Sequence, residues 1–184
     1  DELEALLVRL GYALAWTEED GERRCRVVPP AGRKALFVGD IVDRGPRVAD
    51  SLRLVMDMVA DGHALCVVGN HEAKVEKWLA GKNVTVSHGL QATVDEMEAA
   101  GAAFKARVKG FIGRLVSHYM LDGGRLAIAH AGIKEQMQGR ASGRVREFCL
   151  YGETTGETDE YGLPVRHNWA AEYRGKTKVV YGHT

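Results

Sequence analysis

Hydrophobic positions fall along this chain in two rhythms, short apolar runs of about four residues and longer stretches at helical spacing. Leu3, Leu6, Leu7 and Leu10 recur every three or four residues behind acidic neighbours, and Gly11 stops them, so residues 1–11 are predicted to be helical. Asp20-Gly21, lying between apolar-rich segments at 13–16 and 25–28, predicts a hairpin closed by Pro29-Pro30. Residues 35–38 then form a first strand-like run. Residues 48–60 place Val48, Leu52, Val55 and Val59 on one helical face, with Gly62 as the stop. A second run at 65–68 leads into a short helix reaching Leu79 and ended by Gly81. From Leu90 to about Met120 the pattern is mostly helical, broken near Gly101, with Phe104, Val108, Phe111, Ile112 and Leu115 as its apolar stripe. Residues 125–129 and 178–181 are the third and fourth runs. Residues 140–174, rich in Gly, Glu and Thr, read as a long surface loop with little regular structure that reaches over the strand ends.

Composition narrows the class. A length of 184 residues fits one domain, 1–184, and 45% hydrophobic with 27% charged residues is ordinary for a soluble globular chain. Twenty-five basic and 25 acidic residues cancel, which argues against a sequence-independent grip on nucleic acid while leaving room for a substrate bound by its terminus. Cys25, Cys66 and Cys149 are odd in number and form no CxxC, as expected of buried thiols in a reduced, cytoplasmic protein. No apolar stretch approaches the ~20 residues of a membrane span, and no signal peptide is present, so no membrane partner is expected.

The four apolar runs finish on residues that can bind a metal, namely Asp40, Asn70, His130 and His183. In an α/β sheet, ligands gather beyond the carboxyl ends of the strands, which makes these four neighbours although they span more than 140 positions. Asp40 alone would be an ordinary turn residue, but in Gly39-Asp40-Ile41-Val42-Asp43-Arg44-Gly45 it becomes a metal ligand able to bridge two cations. Asn70 can cap its helix and still offer a neutral carbonyl oxygen. His71 follows it and suits a proton donor to a leaving oxygen, with Asp43 orienting the imidazole and holding it protonated. Arg44 presents a planar fork matched to phosphate oxygens. Glu72 is expected to serve the helix N-terminus. His63, His88, His118 and His167 lack such a setting, and Arg140, Arg144 and Arg146 read as a solvated helix face.

With GDIVDRG at 39–45, GNHE at 69–72, HAG at 130–132 and GHT at 182–184, the chain resembles the calcineurin-type binuclear metallophosphoesterases, which include serine/threonine protein phosphatases and diadenosine tetraphosphatases. Residues 148–166 (FCLYGETTGETDEYGLPVR) and 169–175 (WAAEYRG) give a narrower likeness to the central phosphatase module of bacterial polynucleotide kinase-phosphatases. The resemblance implies an α/β fold, a central β-sandwich flanked by helices with the site at the strand ends. It implies Asp40 as metal bridge, Asn70, His130 and His183 as the remaining ligands of the second metal, His71 as general acid with Asp43 as partner, and Arg44 as phosphate binder. The implied cofactor is a divalent metal, Mn²⁺ or a similar ion (Ni²⁺, Fe, Zn²⁺), two per intact domain. The narrower likeness implies hydrolysis of 2′- or 3′-phosphates and 2′,3′-cyclic phosphates at RNA 3′ ends, with kinase and ligase domains as partners in the parent chain.

The family's opening Asp-x-His-Gly strand is absent, and the chain stops one residue past Gly182-His183. The expectation is therefore a domain trimmed at both ends, with a complete second metal site, a first site retaining only Asp40, and poor hydrolysis. Three functions follow. They are RNA-end repair, a serine/threonine protein phosphatase or diadenosine tetraphosphatase, and a non-catalytic interaction fragment, the last opposed by the intact His71, Asp43 and Arg44.

Overall fold

The computed structural model describes residues 2–19, 21–86, 89–162 and 164–183. Asp1, expected to open the first helix, Asp20, expected in the hairpin turn, and His88, Leu163 and Thr184 lie outside them. Helix α1 (Glu2–Arg9) leads into strands β1 (Ala13–Glu19) and β2 (Glu22–Val28), which pair antiparallel from Ala13↔Val28 to Glu19↔Glu22. Strand β3 (Ala35–Phe37), helix α2 (Val48–Ala60) and strand β4 (Ala64–Cys66) form a βαβ unit with β3 and β4 parallel. Helix α2 is buried on two faces. Val48, Leu52 and Val55 turn to the main core, while Leu54 and Met58 pack with Leu7, Cys25 and Val27 beneath the hairpin. Its first turn lacks a side-chain cap of its own; instead Val48 N and Ala49 N donate to the Glu96 carboxylate at 3.0 and 2.8 Å.

Helix α3 (Asn70–Leu79) follows β4, as the sequence pattern predicts, and α4 (Leu90–Ile112) packs across α2 and α3. Gly101, with φ 89° and ψ 177°, kinks α4 in a conformation that side chains rarely adopt, which locates the predicted break. The helix does not continue to Met120. Gly113 ends it, and His118-Tyr119-Met120-Leu121 beyond form strand β5 (His118–Leu121), which pairs antiparallel with β6 (Leu126–Ala129). Strand β9 (Lys178–Val180) joins β6 in parallel to complete a three-stranded sheet, β5-β6-β9. A parallel bridge, Val67↔Val116, links the βαβ unit to the residues leading into β5.

The segment at 140–174 is likewise more ordered than its composition suggests. Ser142 caps helix α5 (Gly143–Tyr151) by accepting from Val145 N, and Val145, Phe148, Cys149 and Leu150 are buried. Strands β7 (Thr154–Thr158) and β8 (Pro164–Arg166) form an irregular antiparallel pair, and α6 (Trp169–Glu172) follows. Strand β7 is exposed along its whole length, so its polar composition reports surface position and not absence of structure. No helix is long and apolar enough to cross a membrane among the described residues. The three cysteines are free and buried.

Candidate active site

The site grows from two glycine-bearing turns that cross. After β3 the chain passes Gly39, and after β4 it passes Gly69. A Cβ on Gly39 would stand 2.6 Å from Gly69 Cα and N, so both positions must stay bare for the turns to meet. Glu72 locks them together. Its fully buried carboxylate accepts from Gly69 N (2.9 Å), Asp40 N (2.8 Å), Ile41 N (2.7 Å) and Val42 N (3.3 Å). Burial, with Asp40 nearby, pushes this carboxyl above its usual range while the amides pull it back. The sequence assigned Glu72 only to its own helix start; it also organises the facing loop, a role hidden because those amides lie some thirty residues earlier.

Four non-glycine residues in this region hold left-handed backbone, Asp40 (φ 55°), Asp43 (φ 69°), Arg44 (φ 58°) and His183 (φ 60°). Elsewhere in the described chain only Asp122 does. Such conformations cost on the order of 1–3 kcal/mol each and persist where their surroundings impose them. The payoff is convergence. His130 Nε2 lies 2.8 Å from Asn70 Oδ1, 2.8 Å from His183 Nδ1 and 3.5 Å from Asp40 Oδ1. Ligand atoms of Asp40, His130 and His183 all fall within 4.8 Å of one another. The four strand-end residues singled out in the sequence thus come together.

This cluster is short of hydrogens. His130 Nδ1 lies 2.7 Å from Val38 O, a carbonyl that can only accept, so in the neutral ring Nε2 presents a lone pair. Facing it are two side-chain oxygens. His183 Nδ1 could donate, but His183 Nε2 is itself buried with no hydrogen-bond partner, so one buried nitrogen goes unanswered in either tautomer. Burial pushes the His130 imidazole below its ordinary range, and burial followed by the neighbouring His130 pushes His183 down to about 4. Two neutral imidazoles, an amide oxygen and a carboxylate suit a divalent cation of the first transition row. The residues therefore fit a metal.

Beside the cluster stands a dyad. His71 Nδ1 is 2.5 Å from Asp43 Oδ2, and this bond to Asp43 raises the imidazole above its ordinary range, favouring the protonated form. Asp43 is buried, while Arg44 next to it is exposed. Thr93 of α4, which the sequence reading missed, touches Asp43 twice. Asp43 N donates to Thr93 Oγ1 at 3.0 Å, and the hydroxyl donates to Asp43 Oδ1. Its only trace in the sequence is a hydroxyl on the stripe Leu90, Thr93, Met97, three positions that are fully buried.

The third side of the site rests on Trp169. Its indole Nε1 donates to Ala131 O at 3.1 Å, and its ring packs so closely on Gly132 that any Cβ there would collide. Tyr181, just before Gly182-His183, packs against the same ring at a tilt of 56°, with the ring centres 5.0 Å apart. A cleft of about 140 Å³ opens here between His183, Tyr181, Trp169, Glu153 and Arg166. The charge of Arg166 adds to what keeps His130 and His183 neutral, so the 140–174 segment does approach the site. Of the basic trio, Arg140 and Arg144 are exposed, and Arg146 pairs with Glu76 of α3 at 3.6 Å.

A mixed α/β scaffold with metal-binding groups at its strand ends and a histidine–aspartate pair beside them defines a phosphoesterase framework. Residues 13–184 match the calcineurin-like phosphoesterase family, and the chain belongs to it. Over its full length the chain is 41% identical to the bis(5′-nucleosyl)-tetraphosphatase PrpE (asymmetrical) of Geobacillus thermodenitrificans, covering 73% of that protein. It is 42% identical to the like-named protein of Anoxybacillus flavithermus over 85% of this chain and 66% of the relative, and 38% identical to that of Bacillus subtilis over 100% and 74%. The chain thus spans roughly two thirds to three quarters of these relatives. A crystal structure provisionally assigned as a diadenosine tetraphosphatase superposes with a TM-score of 0.52 at 24% identity, covering 82% of this chain and 61% of that one, and shares the fold. These relatives give no support to the narrower likeness to RNA-repair phosphatases.

Proposed function

We propose that this chain carries the metal-dependent catalytic machinery of a bis(5′-nucleosyl)-tetraphosphatase, hydrolysing one anhydride of the tetraphosphate bridge asymmetrically to a nucleoside triphosphate and a nucleoside monophosphate. The observation that carries the chemistry is the hydrogen-poor cluster of Asp40, Asn70, His130 and His183 beside the His71–Asp43 pair. The choice of substrate draws on the names of relatives 38–42% identical to it. It replaces RNA-end repair as the leading reading.

Asp40, Asn70, His130 and His183 would hold the metal, Mn²⁺ or a similar ion. When bound, such an ion polarises phosphoryl oxygens and lowers the pKa of water. The chain's own residues supply the rest. Arg44 is exposed next to Asp43 and offers its guanidinium to the non-bridging oxygens of the phosphoryl group. His71, with Nδ1 committed to Asp43, presents Nε2–H to the leaving oxygen and protonates it as the P–O bond breaks. Asp43 then stabilises the imidazolium until that step and keeps the ring from turning.

The test is to incubate the purified chain, and a version extended to the full length of its relatives, with diadenosine tetraphosphate and Mn²⁺, and to resolve the nucleotides by anion exchange. ATP and AMP in equal amounts, abolished by chelation, are expected. Two equivalents of ADP would contradict the asymmetric cut. Phosphate release from an RNA 3′ end while the dinucleotide stays intact would return the RNA-repair reading to first place.

A further inference from the structure

Thr93 is a buried polar side chain beside the site that metal binding and proton transfer, as described so far, leave without a use. It is fully buried in the first half of α4, fifty residues from the loop it touches. A mid-helix threonine commonly turns its hydroxyl back onto a carbonyl of the preceding turn. Here Thr93 Oγ1 accepts from Asp43 N at 3.0 Å, and its single proton goes to Asp43 Oδ1. The other oxygen of that carboxylate, Oδ2, holds His71 Nδ1 at 2.5 Å. The three side chains make a chain of donors and acceptors, hydroxyl to carboxylate to imidazole.

Among the described residues, Thr93 and His71 are the side chains that hydrogen-bond the Asp43 carboxylate, one at each oxygen. The Asp43 side chain is 1% exposed, so solvent cannot answer a free oxygen. Its backbone is left-handed, and so is that of Arg44. Gly89, just ahead of α4, presses on the same two residues, since a Cβ there would come within 2.6 Å of Arg44 N and 3.1 Å of Asp43 Cβ. The start of α4 is therefore fitted against the Asp43–Arg44 turn, with the Thr93 hydroxyl one helical turn further in.

We propose that Thr93 is a positioning residue for proton transfer: its hydroxyl fixes the rotation of the Asp43 carboxylate, and through it the ring of His71, so that Nε2–H faces the leaving oxygen. This rests on the phosphoesterase reading above. Without the hydroxyl, Oδ1 loses its donor, the carboxylate is free to rotate, and His71 no longer has one orientation. Metal binding does not depend on this chain of bonds.

The experiment compares wild type, Thr93→Val (same shape, no hydroxyl) and Thr93→Ser (hydroxyl kept) in Mn²⁺. Two substrates are used, p-nitrophenyl phosphate, whose leaving group departs readily unprotonated, and phenyl phosphate, whose leaving group needs the proton. Thr93→Val is expected to lower kcat on phenyl phosphate roughly 10- to 100-fold, at or below the lower end of the ~10²–10⁴ an acid catalyst contributes because His71 itself is retained, with less than about a threefold change on p-nitrophenyl phosphate. KM and Mn²⁺ affinity should hold, and Thr93→Ser should behave as wild type. Equal losses on both substrates, or a Thr93→Ser as impaired as Thr93→Val, would overturn the proposal and leave Thr93 a packing residue. A second readout needs no turnover. The low-field proton resonance of His71 Nδ1–H should be present in wild type and Thr93→Ser and lost in Thr93→Val. Its persistence in Thr93→Val would equally overturn the idea. If wild type hydrolyses neither these esters nor diadenosine tetraphosphate, the phosphoesterase reading of this chain fails; if it hydrolyses the dinucleotide alone, the resonance decides the role of Thr93. Should Thr93→Val not fold, Thr93→Ser decides it, because a wild-type ratio of the two rates is required there.

Discussion

At the scale of single residues, the division of labour between neighbouring histidines follows from what each ring touches. His71 rests on a carboxylate and is pushed toward its charged form, whereas His130 and His183 are buried among groups that favour neutrality. One ring carries a proton to give; the other two carry lone pairs to share. His71→Ala should lower kcat by roughly 10²–10⁴ on a substrate that needs leaving-group protonation, with Mn²⁺ affinity by calorimetry unchanged. Asp43→Asn removes the group that raises His71, so the alkaline limb of the kcat profile should move to lower pH. A limb that stays in place would assign the profile to another group.

At the scale of elements, the sequence was legible where periodicity and punctuation agree. The bounds of α2, Val48–Ala60, and the end of α3 at Leu79 follow directly from apolar spacing and glycine stops. All seven candidate site residues lie just past short apolar runs, at turns or at the first two residues of α3, which is why they could be read without a structure. What could not be read depends on distant partners. Strand β5 sits behind a long helical pattern and earns its conformation from β6. Helix α5 and the β7–β8 pair hide in a polar segment whose order comes from burying Phe148 and Cys149 and from Trp169. Glu72 and Thr93 bond across some thirty and fifty positions, beyond any local pattern. Trp169 ties this segment to the His130 turn. Trp169→Ala should therefore cost about 3–5 kcal/mol in urea unfolding and weaken Mn²⁺ binding as well, since Ala131-Gly132 and Tyr181 both lean on the ring. A stability loss with full Mn²⁺ affinity would confine Trp169 to packing.

At the scale of the whole molecule, the histidines set how stability responds to pH. Burial holds His118, His130 and His183 below the ordinary value of 6.5, so in the metal-free chain their contribution is present above 6.5 and is lost as pH falls toward about 4. His71 has the opposite sign; its contribution is present below 6.5 and fades as pH rises through its elevated value. Denaturant midpoints measured from pH 7.5 down to 4.5 without metal should fall, and Mn²⁺ should shift the decline to lower pH. A flat profile would show that these rings do not control the balance.

Five polar or charged side chains are buried among the described residues, and four of them, Asp43, Glu72, Thr93 and His130, serve the site. The fifth, Asp57 of α2, belongs to a different economy. It accepts from Cys25 N at 2.8 Å, pairs with Arg24 at 2.9 Å and also with Arg107, so one carboxylate fastens the β1–β2 hairpin and α4 to the central helix. The chain therefore has two separable ways to fail. Inherited variants at Asp57, Arg24 or Arg107 should reduce how much protein a cell retains while each surviving molecule turns over normally. Variants at the other four should lower turnover per molecule, with Glu72 also costing protein because it satisfies four buried amides, and pairing antibody-measured amount with turnover per molecule would separate the two effects.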